Sequence, residues 1–238
     1  MQQIYSIPVN EAFDKTAAEP SVGCPFCVLY RKLEEDELDI ILGASMMEPD
    51  IRMRTNEEGF CADHYTKMLC RRRKLGMGLI LESHLAEVKK KIGKSPKDLV
   101  LKPGTAQAAA LAALETSCYV CGRIGKNLAA MIATAVYLWE TDEAFRKKTA
   151  AQPYFCLPHY RRMIDYASKK MQKRVYREFY PVVADIEYKY LSALEGDVSW
   201  LCKKFDYRYD EEPWYNAKDS VERAIAFLTG ADTEIKQQ

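Results

Sequence analysis

Apolar residues recur along this chain at helical intervals, and nowhere is the two-residue alternation of a half-buried strand sustained. Ile124, Leu128, Met131, Ile132, Ala135, Leu138 and Trp139 fall on one helical stripe. Leu81, Leu85, Val88 and Ile92 form a second stripe, and Ile164, Met171, Val175 and Phe179 a third. Val183, Ile186, Tyr190, Leu194, Val198, Leu201 and Phe205 predict another helix. It is expected to restart at Pro181, which lacks the helical N–H, and to loosen at Gly196. A short last helix turns Val221, Ala224, Ile225 and Leu228 inward and stops at Gly230. The first helix, over roughly 28–47, is less regular, because the acidic run at 34–37 interrupts its apolar face. The fold class these patterns predict is all-α.

Two stretches break the helical pattern. "GKSPKDLVLKPG" at 93–104 is charged and carries two prolines and two glycines, the composition of a connector. It separates an N-terminal half, 1–98, from a C-terminal half, 99–238, which opens with an alanine-rich helix over 105–116. The two halves are expected to form one integrated body. "FDYRYDEEPWYN" at 205–216 is a second, acidic and aromatic connector leading into the final helix.

Each half carries the same phrase. "FCADHYTKM" at 60–68 and "FCLPHYRRM" at 155–163 share Phe, Cys, His, Tyr and Met in identical places. Upstream of each lies a Cys-x-x-Cys, "CPFC" at 24–27 and "CYVC" at 118–121, separated from the following Cys-x-x-His by 34 and 35 residues. "EPDIR" at 48–52 and "ETDEAFR" at 140–146 occupy similar places between them, so the pattern reads as an internal duplication. Only three histidines occur in the chain, and two of them stand three residues after a cysteine. Random placement predicts about 0.1 such coincidences.

Cysteines three apart can turn both sulfurs to one ion, and Cys and His at i, i+3 share one face of a first helical turn. A helix N-terminus also favours the thiolate over the thiol. Each half therefore offers a Cys3His set: Cys24, Cys27, Cys61 and His64 in the first, Cys118, Cys121, Cys156 and His159 in the second. Such closed sets suit tetrahedral zinc, so two zinc ions are expected, with an iron–sulfur cluster as the alternative. Basic residues follow both motifs, at Arg71–Arg73 and Arg161–Arg162, where they can offset the net negative charge of a three-thiolate zinc site.

Composition narrows the classes. With 48% hydrophobic and 29% charged residues, the 238-residue chain is ordinary for a globular protein. A formal charge of +1 gives no bias toward nucleic acid or anionic membranes. No apolar run reaches membrane-spanning length, and the N-terminus has no secretory pattern, so a reducing cytoplasmic location is expected. There, clustered cysteines point to metal or redox chemistry rather than disulfides. Cys202, beside Leu201 on an apolar stripe, reads as a core thiol, Cys70 has no counterpart in the other half, and His84 reads as a hydrogen-bonded residue at the margin of a helix face. The basic runs at 71–74, 89–91 and 169–177 can face solvent on the outer sides of helices. No phosphate loop, nucleophile elbow or catalytic His–carboxylate set emerges.

"IPVNEAF" at 7–13, "CPFC" at 24–27, "GFCADH" at 59–64, "YFCLPH" at 154–159 and "KFDYR" at 204–208, in that order, resemble an uncharacterised bacterial family, a domain of unknown function common in anaerobic Firmicutes. Members are sometimes labelled ABC transporter substrate-binding proteins, a label that the missing signal peptide and α/β pattern do not support. The resemblance runs from end to end, implies paired Cys/His sites and brings no activity with it. The function expected is a non-enzymatic, structural-zinc protein that acts as a binding or adaptor module for a protein partner. The alternatives are a redox or metal-handling protein with iron–sulfur clusters or zinc–thiolate switches, and a nucleic-acid-binding protein.

Overall fold

Helices form where the stripes place them, but the buried face is often a different one. The computed structural model describes residues 3–92 and 105–230, and among these it has eleven α-helices and no strand. They are α1 (Ser6–Ala18), α2 (Pro25–Ile41), α3 (Pro49–Glu58), α4 (Ala62–Cys70), α5 (Lys74–Ile92), α6 (Thr105–Thr116), α7 (Tyr119–Thr141), α8 (Glu143–Ala150), α9 (Leu157–Lys170), α10 (Lys173–Lys203) and α11 (Ser220–Thr229). No helix among the described residues is long and apolar enough to cross a membrane. The connector expected at 93–104, and with it the boundary at 98/99, lies outside the described residues.

The helices group into two compact units. One contains the chain up to Arg31 and what is described from Leu128 onward; the other is Lys32–Asn127. Both changes of unit occur inside helices, α2 and α7.

In the first unit the core is aromatic. Phe13 of α1 meets Phe26 edge-on at 5.7 Å and Phe145 at 4.7 Å, and Phe155 lies 5.9 Å from Phe26. All four rings are essentially inaccessible, and each contributes about 2–3 kcal/mol of apolar transfer. Gln152 ties α1 to this cluster, its Nε2 donating to the Phe13 carbonyl at 2.9 Å. In the second unit α4 and α5 follow each other as a hairpin, and Leu38, Ile41, Met68 and Ile80 are buried.

Several expectations need correction. Helix α10 runs unbroken through Pro181 and Gly196. Pro181 and Arg177 are both exposed, so the unpaired Arg177 carbonyl can face water, while Phe179, Val183, Ile186 and Leu194 hold the helix in line by packing. The 164–179 stripe is not one helix, because α9 ends at Lys170 and Met171 takes extended backbone. On α5 the buried set is Gly76, Met77, Ile80 and His84, whereas Leu85 and Ile92 are exposed. On α11, Phe227 points inward; Val221, Ile225 and Leu228 are exposed, although Gly230 does cap the helix in left-handed conformation, at φ 68°. In each case two apolar faces compete on one helix, and only the neighbouring helices choose between them. Cys202, expected in the core, is exposed. Helix α1, which the stripes did not predict, places Val9, Ala12 and Phe13 in the core.

Candidate metal centres

All eight predicted ligand residues come together in two groups of four, but not within the halves. Cys24 and Cys27 meet Cys156 and His159, here called site 1; Cys61 and His64 meet Cys118 and Cys121, site 2. Each Cys-x-x-Cys is completed by the other half's Cys-x-x-His, so the grouping by halves is overturned. Site 1 lies in the first unit and site 2 in the second.

The partners cross because α2 and α7, which begin at the two Cys-x-x-Cys motifs, each carry the chain out of one unit and into the other. The loops nest: 129 residues separate Cys27 from Cys156, and 54 separate His64 from Cys118. Closing these rather than the shorter in-half loops costs about 1–2 kcal/mol more in chain entropy. That is small beside the roughly 10–16 kcal/mol of zinc binding in small zinc domains.

The donor separations fit a tetrahedral ion. Bond lengths near 2.3 Å for sulfur and 2.05 Å for nitrogen give ligand–ligand edges of about 3.8 Å for S···S and about 3.6 Å for S···N. In site 1 the Cys27 and Cys156 sulfurs are 3.5 Å apart, and His159 Nδ1 lies 3.8, 3.5 and 3.0 Å from the sulfurs of Cys24, Cys27 and Cys156. In site 2 the Cys61 and Cys121 sulfurs are 3.9 Å apart, and His64 Nδ1 lies 3.1, 3.4 and 3.4 Å from Cys61, Cys118 and Cys121. Both histidines present Nδ1.

Local structure explains how short motifs reach this arrangement. Cys61 and Cys156 are the N-cap residues of α4 and α9, in extended backbone, so the histidine three residues on returns to the same face of the first turn. Cys24 and Cys118 immediately precede the first turns of α2 and α7, whose Val28 and Gly122 N–H groups donate to their carbonyls. Each site thus gathers two helix N-termini, whose unpaired N–H groups and dipoles favour negative sulfur.

Charge within the groups is shared. Sulfur contacts from Cys24 and then Cys27, reinforced by His159, hold the Cys156 thiol far below the ordinary range, while burial pushes Cys24 well above it. In site 2 burial works against the Cys118 thiolate, yet the His64 contact and the Cys121 and Cys61 backbone bring it to about 6. His64 is raised to about 9, the Cys118 and Cys61 sulfurs outweighing its burial. A divalent ion that takes all four donors therefore displaces protons.

Two buried acids behind the sites escaped the sequence reading. Glu34 Oε1 lies 3.2 Å from His64 Nε2 and accepts from Lys67 Nζ at 2.8 Å. It orients the imidazole so that Nδ1 faces the sulfurs, as carboxylates do behind metal-binding histidines. Glu34, Asp63 and His64 also cluster, but there the Lys67 ammonium already bridges both carboxylates, 2.8 Å from Glu34 and 3.1 Å from Asp63. Glu37, in the same acidic run, is buried against Arg123. Glu187 of α10 serves site 1 differently: its Oε1 accepts from the N–H of Phe155, next to Cys156, at 2.7 Å. The available signal was acid on an apolar helix face, in the run at 34–37 and between Ile186 and Tyr190. Arg71 and Arg73, expected to offset the metal charge, pair with Asp39 instead. His84 accords with its reading, since its Nδ1 lies 3.1 Å from the Asn56 carbonyl. Cys70 ends α4, exposed and outside both groups.

Backbone contacts knit the motifs together. In site 2 the Tyr119 N–H donates to the Gly59 carbonyl at 3.0 Å, so the approach to Cys61 is bonded to the start of α7. Gly59 has φ 62°, and a Cβ there would stand 3.1 Å from the His84 ring. In site 1 Gly230 packs against the sulfurs: a Cβ would lie 3.0 Å from Cys156 Sγ, and the Gly230 carbonyl is 3.5 Å from Cys27 Sγ.

Neither a curated protein nor a solved structure matches this chain. A family model matches residues 1–235, a range that includes both centres, and the chain belongs to that family, a family of unknown function (DUF6062).

Proposed function

We propose that the chain is a non-enzymatic binding module built by internal duplication, in which each Cys3His group holds one zinc ion. The observation that carries this is that four donor separations in each group, 3.0–3.9 Å, lie near the edges of a zinc tetrahedron, with all four donors of each group within 4.8 Å of one another. A zinc ion bound by four side chains has no open coordination position, so what it supplies is structural. In site 1 Cys24 and Cys27 tie α2 to α9; in site 2 Cys118 and Cys121 tie α7 to α4. Eight cysteines free of disulfides support a reducing compartment such as the cytoplasm as its location.

The surface reading rests on a groove along α4 and α5. It has a volume of about 550 Å³ and is lined by Tyr65, Leu69, Leu81, His84, Leu85 and Val88 among others. Leu69 and Leu85 are 62% and 61% exposed. Arg72 and Lys74 stand by the hairpin turn, and Lys89 and Lys91 near the far end of α5, none paired with a described carboxylate. An apolar groove with cations at both ends fits an amphipathic partner helix carrying acidic residues at its two ends.

Elemental analysis with an absorption spectrum on anaerobically purified protein tests the metal. About two zinc per chain without a visible band is expected; iron with labile sulfide would replace zinc by clusters. A fluorescent helical peptide, leucines on one face and glutamates at each end, tests the groove. Binding that weakens with salt and is lost in Leu85→Asp is expected. No binding, or preference for an RNA oligonucleotide, would reject it.

A further inference from the structure

The two sites have the same donors but different access. At site 1 Cys24 and Cys156 are each 1% exposed and Cys27 is half-buried, with the Gly230 carbonyl 3.5 Å from its sulfur and the Phe26 ring 5.9 Å from that of His159. At site 2 Cys121 is exposed and Cys61 half-buried, and these two sulfurs, one from each motif, are neighbours at 3.9 Å. Cys118, their companion, is buried. A reagent from solvent therefore reaches sulfur at site 2 first, and the second sulfur it exposes is the one needed to complete a disulfide.

We infer that site 2 is an oxidation-sensitive zinc site, oxidised at Cys121 by a hydroperoxide and resolved by Cys61, while site 1 keeps its ion. This rests on the zinc reading above. The Cys121 thiolate attacks the peroxide oxygen, the O–O bond breaks, and the departing hydroxide takes a proton to form water. The resulting sulfenic acid is attacked by the Cys61 sulfur, and its hydroxyl leaves with a second proton as another water. In sum, two thiolates, one hydrogen peroxide and two protons give one disulfide and two waters. The sulfurs approach from 3.9 Å to about 2.05 Å. Only Cys118 and His64 then remain as donors, and a two-ligand site does not retain zinc. The disulfide would link the N-termini of α4 and α7, so their connection persists while the ion leaves.

The test uses the full-length, zinc-loaded protein with an equivalent of hydrogen peroxide, a chromophoric zinc chelator and peptide mass mapping. Release of about one zinc per chain is expected, with a Cys61–Cys121 disulfide and site 1 cysteines still reduced. In Cys121→Ser, release should slow by about tenfold or more. Because that variant can lose zinc outright, alkylation of the unmodified protein by iodoacetamide gives a second measure, with Cys121 the first site 2 cysteine to react. Two zinc ions leaving at one rate, first oxidation at Cys24, Cys27 or Cys156, or a Cys118–Cys121 disulfide would each overturn this inference alone. Protein that purifies without zinc would overturn it together with the reading beneath it.

Discussion

Site 1 and site 2 use the same four donors, the same histidine nitrogen and the same pair of helix N-termini, yet one is enclosed by aromatic rings and the other is rimmed by charges. At site 1 the neighbours are Phe26, whose ring lies 5.9 Å from that of His159, and Phe155, which precedes Cys156, with Gly230 against the sulfurs. At site 2 they are Glu34, Lys67 and Asp63, with an exposed thiol at Cys121. The difference teaches that coordination chemistry and permanence are set separately. The short motifs supply the donors, and the packing around them decides whether water and reagents can reach them.

The largest contrast should come from removing one ligand at each site. Cys24→Ser leaves a hydroxyl at a position only 1% exposed, and a loss of about 4 kcal/mol or more of stability is expected. Cys121→Ser places the hydroxyl at the surface, where water can replace the lost sulfur, and about half that loss or less is expected. Chemical denaturation followed by circular dichroism measures both. Equal losses would erase the distinction between enclosed and open sites.

A smaller effect should separate the two supporting acids. Glu34→Gln removes the carboxylate from behind His64 and leaves Lys67 with Asp63. Zinc affinity at site 2 should fall by about 10–100-fold, with site 1 unaffected, in competition titrations with a chelator. A fall at both sites would mean that the acid acts through the whole fold rather than through the imidazole.

Glu187 gives the finest test, because it should show itself only through pH. Burial, together with the Cys156 charge and against the Phe155 N–H bond, raises its carboxyl to about 8, and Tyr160 also faces it. Its Oε2 has no hydrogen-bond partner among the described residues, as suits a carboxyl that keeps its proton. Because the folded value lies above the unfolded one, this stabilisation is full below pH 4.5 and is lost as pH rises toward 8. Relative to Glu187→Gln, the unsubstituted protein should lose about 1.4 kcal/mol per pH unit across that window. Parallel stability curves for the two proteins would show that Glu187 is ionised in the fold.

Legibility followed the range of the physics involved. Helix 105–116 was predicted to the residue, and Gly230 as a stop, because propensity and capping are properties of a few adjacent residues. The faces of α5 and α11 were not, because Leu85 and Ile225 are at least as apolar as the residues buried in their place, His84 among them. The acidic run at 34–37 read as a flaw in an apolar face. In the fold it carries the carboxylates that meet His64 and Arg123, so the local conflict marked a site.

By itself the sequence pointed to the all-helical class and to the eight cysteines and histidines that the fold gathers in two groups, since Cys-x-x-Cys and Cys-x-x-His act within a single helical turn. Only the tertiary structure decided which motif meets which. Nothing local distinguishes Cys61 from Cys156 as a partner for Cys24 and Cys27, and the loop entropy that favours the nearer one is worth only about 1–2 kcal/mol. The long helices α2 and α7 settle the matter by carrying the chain from one unit into the other before the next Cys-x-x-His arrives.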